Sequence, residues 1–358
     1  MKKLFALVLC IALIFTCFTG CHGKGEIAVT VGDVEFTSGY YACALLFADM
    51  EARSTVEAEL SEEETQTTDI DYYSQKIDKK DYVEWVKDTA LDTIKELGAI
   101  KSLCKKAEIK LSDEIISTAD SNAEYLWDSY GYSVIMEENG VSEATFKAYM
   151  QDTYLMDEYF NHIYGKGGEK EVAADKVAKQ LVEDYVLVNT LDQSFEGLQD
   201  DEIKEKREQF TAFETALKNG TKTFEQVLTE HEGGEAHNHE HSEDASAPQD
   251  AHATALTETD ANFETAKKMA VGEVKLITKD DDAGITILVK KDISADPYYL
   301  ENYDSTLRHS IVGDEFEDDI EDYTKKLDVE VNDFAVDRFK VKKLIYPEQQ
   351  QAAQPVAQ

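Results

Sequence analysis

The sequence predicts an α+β protein. Helical segments occupy both ends of the chain, and between them β-type runs alternate with short helices. Three observations carry this reading. From Tyr82 onward, Val83, Val86, Ala90, Ile94, Leu97 and Ile100 recur at three- and four-residue steps, the spacing of one helix face. The four prolines are Pro248, Pro297, Pro347 and Pro355, so none interrupts the first two thirds of the chain. After the glycine-rich step GKGG at 165–168 the period changes, and YVLVNTL, KLIT and ITILV read as strands. At 358 residues the chain has room for two domains of roughly 100–200 residues each.

Residues 1–20 read as a targeting segment rather than as part of the fold. Lys2 and Lys3 form a basic start, and LFALVLCIALIF is too short for a comfortable membrane span of about 20 residues. FTGC then ends at Cys21. Thr19 and Gly20 before that cysteine resemble a bacterial lipoprotein cleavage site, with Phe18 where leucine is usual. Cleavage there leaves Cys21 as the first residue and the point of lipid attachment. Two acyl chains anchor a protein stably where one does not. Cys10 and Cys17 leave with the segment. Cys43 and Cys104 remain, compatible with one disulfide outside the cytoplasm or with two buried thiols.

The elements follow in order. EIAVTVGDVEFT holds two short β-type runs about Gly32-Asp33, a hairpin signal, and Thr37 or Ser38 can cap the helix after it. Residues 56–80 are acidic and polar and read as a connector. Ser112 in LSDEI is a helix N-cap with Asp113 and Glu114 in the first turn. A long helix then carries Tyr125, Leu126 and Trp127, and another starts at Ser142, striped by Phe146, Met150, Tyr154 and Phe160. A strand at 185–191 precedes an amphipathic helix at 200–220 ending on Gly220. TKTFEQVLTEH is a second helix and DANFETAKKMAVGE a third. They flank a low-complexity tract read as a loop, 231–254. KDDDAG turns one β-rich run into the next. Leu307, Ile311, Phe316, Ile320 and Tyr323 mark a long helix within 298–345, followed by a short strand or turn in VEVNDF. Residues 346–358 form a tail without core-forming residues.

The formal net charge of −38 excludes nucleic acid as a partner, because phosphate binding needs clustered lysine and arginine. The hydrophobic share of 42% supplies a core and argues against global disorder. One stretch has metal chemistry. His237, His239 and His241 alternate, and His231 and His252 flank them. Neutral imidazoles suit zinc, so these five are the candidate metal ligands, and no other cofactor is indicated.

A strand, a helix ending in LKNGT, then TFEQVLTEH, then KKMAVGEVKLITKDDDAGITILV resembles a parvulin-type peptidyl-prolyl isomerase domain. The opening V-G-D-V-E-F-T is similar to a segment of the PrsA and SurA family of extracytoplasmic foldases. The resemblance runs in order over roughly residues 27–345. It implies a helical chaperone domain built from the N-terminal segment 21–170 and a C-terminal helix in 295–345. A parvulin-like domain of a small antiparallel sheet and helices, about 180–294, is inserted between them.

The departures carry as much information. Parvulins place a histidine in the first strand, where V-N-T-L puts Asn189 here. They place a second in the last strand, where G-I-T-I puts Thr286. The acid or thiol and the G-D-L-G-W step that the family places after the F-x-x-hydrophobic helix are missing, and the histidine tract occupies that region. Asn189 and Thr286 are therefore the candidate degenerate catalytic positions, expected to hydrogen-bond to each other across the strands. The resemblance implies a foldase or chaperone at the extracytoplasmic face of the membrane, acting on unfolded secreted polypeptides. Its isomerase activity is expected to be weak or absent. The alternative is a zinc-binding surface lipoprotein.

Overall fold

The computed structural model describes residues 26–59, 70–233 and 248–346. The fold is α+β: helices with small antiparallel sheets. The described chain separates into two compact units. One takes the residues up to Ile163 and from Asp314 onward; the other runs from Tyr164 to Gly313.

In the first unit, β1 (Ile27–Val31) and β2 (Val34–Thr37) form the expected hairpin, with Gly32 at φ 59° in the turn. Thr37 Oγ1 accepts from the Tyr40 amide at 3.3 Å and starts α1 (Ser38–Glu59). The described end of the polar connector, read from sequence as a loop or exposed helix, contains a small hairpin, β3 (Lys76–Ile77) and β4 (Lys80–Asp81). Asp78 and Lys79 turn it with positive φ. Next come α2 (Tyr82–Lys106) and α3 (Asp113–Asp128), the latter capped by Ser112 accepting from the Ile115 amide at 3.2 Å. The long helix expected here breaks at Gly131, φ 73°, into α3 and the short α4 (Tyr132–Glu138). α5 (Glu143–Tyr164) follows.

The strand that closes this unit comes from the other end of the chain. β9 (Val329–Val331) pairs antiparallel with β1, giving the order β2-β1-β9, and α12 (Asp333–Val336) follows it. One core of buried side chains joins β1, α1, α2 and α5, with Leu45, Leu46, Ile94 and Phe146 among its members. β1 lies so close to α2 that a Cβ on Gly98 would stand 2.6 Å from Val31 Cβ. Within this core Asp49, 0% exposed, is held by Arg53 Nε at 2.8 Å, the Tyr82 hydroxyl at 3.0 Å and the Tyr346 hydroxyl at 2.7 Å. The Arg53 guanidinium stacks on the Tyr72 and Tyr346 rings at 4.5 and 4.3 Å. Cys43 and Cys104 are buried free thiols, which decides between the two readings of them. Burial, aided by Glu158, pushes the Cys104 thiol up to about 11, leaving little reactive thiolate.

The second unit contains α6 (Ala174–Asp184), β5 (Val186–Ser194), α7 (Asp200–Lys218) and α8 (Phe224–His231). It continues with β6 (Ala253–Leu256), α9 (Phe263–Lys268), β7 (Val274–Thr278) and β8 (Gly284–Lys290). α10 (Pro297–Asn302) and the first half of α11 (Asp304–Thr324) complete it. The long C-terminal helix marked by Leu307 to Tyr323 is α11, and the short strand expected after it is β9, with the short helices α10 and α12 added on either side. The sheet order is β6-β5-β8-β7, every pair antiparallel. The loop expected over 231–254 is corrected at both ends: α8 ends on His231, and β6 is an edge strand paired with β5. An edge strand needs only one good partner, so its weak apolar alternation hid it. Phe210 of α7 and Val227 of α8 pack with Leu191, Ile285 and Ile287 on one sheet face. Phe263, Ala266 and Met269 pack with Val186, Val188 and Leu288 on the other. The buried guanidinium of Arg308 donates to the carbonyls of Tyr164 and Val172 at 3.0 and 2.8 Å, and to Asp304.

Gly98 tests the packing of β1 on α2. Helix propensity alone makes Gly98→Ala stabilising by about 1 kcal/mol. The clash with Val31 reverses the sign, and a net loss of about 1–3 kcal/mol is expected in urea unfolding. Gly313→Ala, with open space around it, is the control and should be neutral or stabilising.

Candidate functional site

The register of β5 and β8 decides what Asn189 and Thr286 can do. The two strands pair without a slip: Asn189 lies opposite Val289, and Asp192 opposite Thr286. Opposed residues share a sheet face, and faces alternate along a strand. Thr286 and Val289 are three residues apart, so they point to opposite faces. Asn189 therefore faces the α7 and α8 side and Thr286 the α9 side. Each is 1% exposed, and the two are not bonded to each other. The expected cross-strand hydrogen bond is corrected by an odd-numbered offset, which no rotamer can undo.

Each residue has instead found a carboxylate. The Asn189 amide donates to Asp250 Oδ2 at 3.2 Å, where Lys291 also bonds at 2.8 Å. The His252 amide donates to Asp250 Oδ1 at 3.1 Å. Burial alone would raise the Asp250 carboxyl; Lys291, Asn189 and the His252 amide outweigh it and hold it below the usual carboxylate range. Asn189 Oδ1 is buried without a hydrogen-bond partner. On the other face the Thr286 hydroxyl donates to Asp192, which Lys279 pairs at 3.1 Å. Sequence reasoning missed Asp192 and Asp250. Asp192 stands opposite Thr286 only once the register is known, and Asp250 comes from the loop before β6. These groups make two polar struts on either side of a sheet. Neither is a paired general acid and base.

Of the five candidate metal ligands, the structure describes His231 and His252. His231 closes α8 with its ring edge-on to Phe210, centroids 5.3 Å apart. Its Nδ1 is buried without a partner. Burial and Lys206 lower its pKa below the ordinary imidazole value, with Glu232 opposing them. His252 lies just before β6, its ring 6.4 Å from that of Phe224. His237, His239 and His241 fall outside the described residues, as does Cys21. Among the described residues no group of three His, Cys, Asp or Glu is arranged to hold a metal ion. No described helix is long and apolar enough to cross a membrane.

The first unit exposes aromatic surface. Tyr125 and Tyr130, at the junction of α3 and α4, are 58% and 63% exposed, with their rings edge-on at 5.3 Å. Val134 of α4 is 48% exposed. Trp127 and Met136, buried beneath, fix the two helices to the core. The structure therefore spends Trp127 on packing and leaves the tyrosines in water.

No family model matches the chain, and no curated protein matches it. Solved structures do. The chain is similar to the foldase protein PrsA from Streptococcus pneumoniae at 13% identity and a TM-score of 0.36, over 73% of this chain and 85% of that one. It is similar to PrsA from Bacillus subtilis at 18% identity and a TM-score of 0.30, over 71% and 90%.

Two outcomes follow from this geometry. Restoring both histidines, as Asn189→His with Thr286→His, should add no acceleration to a proline-limited refolding reaction, because the two rings would lie on opposite faces. A rate gain would mean that the register is wrong. His231, held neutral in the fold, stabilises the protein fully above its unfolded pKa of about 6.5. That contribution is lost as pH falls from about 6.5 toward the lower folded value, because the unfolded chain then takes up protons that the fold refuses. Melting temperatures at pH 7.5 and 5.5 should therefore differ less in His231→Phe than in the parent.

Proposed function

We propose that this chain is an acylated, extracytoplasmic foldase that acts as a chaperone on unfolded secreted polypeptides. Its inserted sheet unit is a parvulin-type isomerase scaffold with weak or absent catalysis. The observation that carries the reading is the division of the chain. A sheet-bearing unit, Tyr164 to Gly313, is inserted within a helical unit made from both ends of the chain. That division supports the reading, with the inserted unit running from Tyr164 to Gly313 rather than over about 180–294. The exposed tyrosines of α3 and α4 support client binding, because amphipathic rings bind apolar segments without a rigid pocket. The basic start, short apolar run and Cys21 support a lipid anchor at the outer face of the cell membrane.

Prolyl isomerisation is slow because amide resonance must be broken, against a barrier of roughly 18–20 kcal/mol. Catalysis needs a dry apolar site and hydrogen bonds that favour the twisted amide. The positions that would supply those bonds are engaged with Asp250 and Asp192. Holding unfolded chains apart needs none of this.

The chain from residue 22 onward separates the two activities. At catalytic concentration it should leave the rate of a proline-limited refolding reaction unchanged. At stoichiometric concentration it should suppress aggregation of a proline-independent client. Acceleration would overturn the claim of a degenerate site. Absence of any protection would overturn the chaperone.

A further inference from the structure

The segment that carries the exposed tyrosines has charged side chains of one sign. Between residues 111 and 140 the chain carries seven carboxylates and no lysine or arginine. Some of these are occupied within the fold: Glu124 pairs with Lys147 at 2.8 Å, and Asp120 accepts from Gln151 at 2.7 Å. Asp128, Glu137 and Glu138 are exposed, and no lysine or arginine pairs with them among the described residues.

Helical spacing sets these three acids beside the apolar groups. Asp128 lies three residues beyond Tyr125, and Glu137 and Glu138 lie three and four beyond Val134. Those are the steps at which side chains on one helix share a face. Tyr125 and Tyr130, in ring contact, thus make an exposed apolar strip bordered by Asp128, and Val134 is exposed on the next helix beside Glu137 and Glu138. An anionic partner is repelled by that border and a neutral one ignores it. A lysine or arginine gains from it twice. Its charge is drawn to the carboxylates within a Debye length of about 8 Å at physiological salt, and its cation can lie over an exposed tyrosine face. The aliphatic stem of the same residue can cover the apolar strip.

We infer that this strip is the client-binding surface, and that it selects extended, unfolded segments in which lysine or arginine alternates with leucine or aromatic residues. The inference rests on the foldase reading and names its substrate class. The overall charge of −38 adds long-range attraction for such segments, while the strip gives the contact its place.

The test uses the chain from residue 22 onward and a fluorescent random-coil peptide alternating lysine with leucine and phenylalanine. Its counterpart has every lysine replaced by glutamate. Anisotropy should show the cationic peptide binding at least about tenfold more tightly, with the preference shrinking at 0.5 M salt. Tyr125→Ser with Tyr130→Ser should weaken cationic binding by about fivefold or more. Both tyrosines are exposed, so that variant should keep the parent circular dichroism. Asp128→Lys with Glu137→Lys and Glu138→Lys should remove the preference. Equal binding of the two peptides, or full binding by the double tyrosine variant, would overturn the inference. A parallel aggregation assay with one basic and one acidic client separates the two levels. Protection of both clients equally leaves the chaperone standing and overturns the charge selection. Protection of the basic client alone, lost in the tyrosine variant, supports both. Protection of neither overturns both.

Discussion

The helical unit depends on a ladder of three residue pairs. Val29, Thr30 and Val31 of β1 meet Val331, Glu330 and Val329 of β9, strands drawn from opposite ends of the sequence. Without β9, β1 has one neighbour, and two-stranded pieces are marginal in water. The Gly32 amide donates to the Asp328 carbonyl and the Asn332 amide to the Ala28 carbonyl at 2.8 Å each, bracketing the ladder. Asp49 performs the same service deeper in. Its carboxylate takes one hydrogen bond from α1's own Arg53, one from Tyr82 at the head of α2 and one from Tyr346 near the C-terminal end. A buried carboxylate is costly when a partner is removed, so this node demands that all three segments be present together.

Such a closure brings together residues some 300 positions apart, yet its thermodynamic cost is modest. Loop entropy grows with the logarithm of length, about 0.6 kcal/mol per doubling. The inserted unit lowers the cost further by folding on its own strands and core, which shortens the effective chain between β1 and β9. Kinetically the same topology is demanding, because non-local pairing is late and slow. Arg308 bears on this point. By binding the carbonyls of Tyr164 and Val172 it ties the entry of the inserted unit to the helix by which the chain leaves it. Residues far apart in sequence are then already neighbours at that unit's own base.

How far the fold was legible follows from which forces leave a linear trace. The α2 stripe from Val83 to Ile100 was legible because a helix writes its buried face at a fixed period. Ser112 and Gly220 marked helix ends correctly because caps are local hydrogen-bond chemistry. β6 escaped because an edge strand is specified by its neighbour β5 rather than by its own residues. The break at Gly131 escaped because a lone glycine in a helical pattern has several meanings. At the candidate site, the hydrogen bond expected between Asn189 and Thr286 is ruled out by the register. Cross-strand register is a property of two segments a hundred residues apart, and nothing in either segment records it. The exposure of Tyr125 and Tyr130 leaves no trace in the sequence, because it is set by what fails to cover the rings.

The offset of Asn189 and Thr286 also explains why the sheet tolerates them. A sheet buried on both faces, with helices on each side, excludes water from its central strands β5 and β8. Polar side chains there must find partners within the fold or cost about 1–3 kcal/mol each. An imidazole pair would need both rings on one face, with room for a substrate beside them. Here one face carries an amide tied to Asp250 and Lys291, the other a hydroxyl tied to Asp192 and Lys279. Each strut ends on a carboxylate–lysine pair at the rim, where water solvates the charges. The arrangement satisfies the Thr286 hydroxyl fully and leaves only the Asn189 carbonyl oxygen without a partner. Two struts on opposite faces of a sheet cannot act together on one substrate. The two struts hold the central strands in register from opposite faces, and their charged ends reach the rim of the sheet.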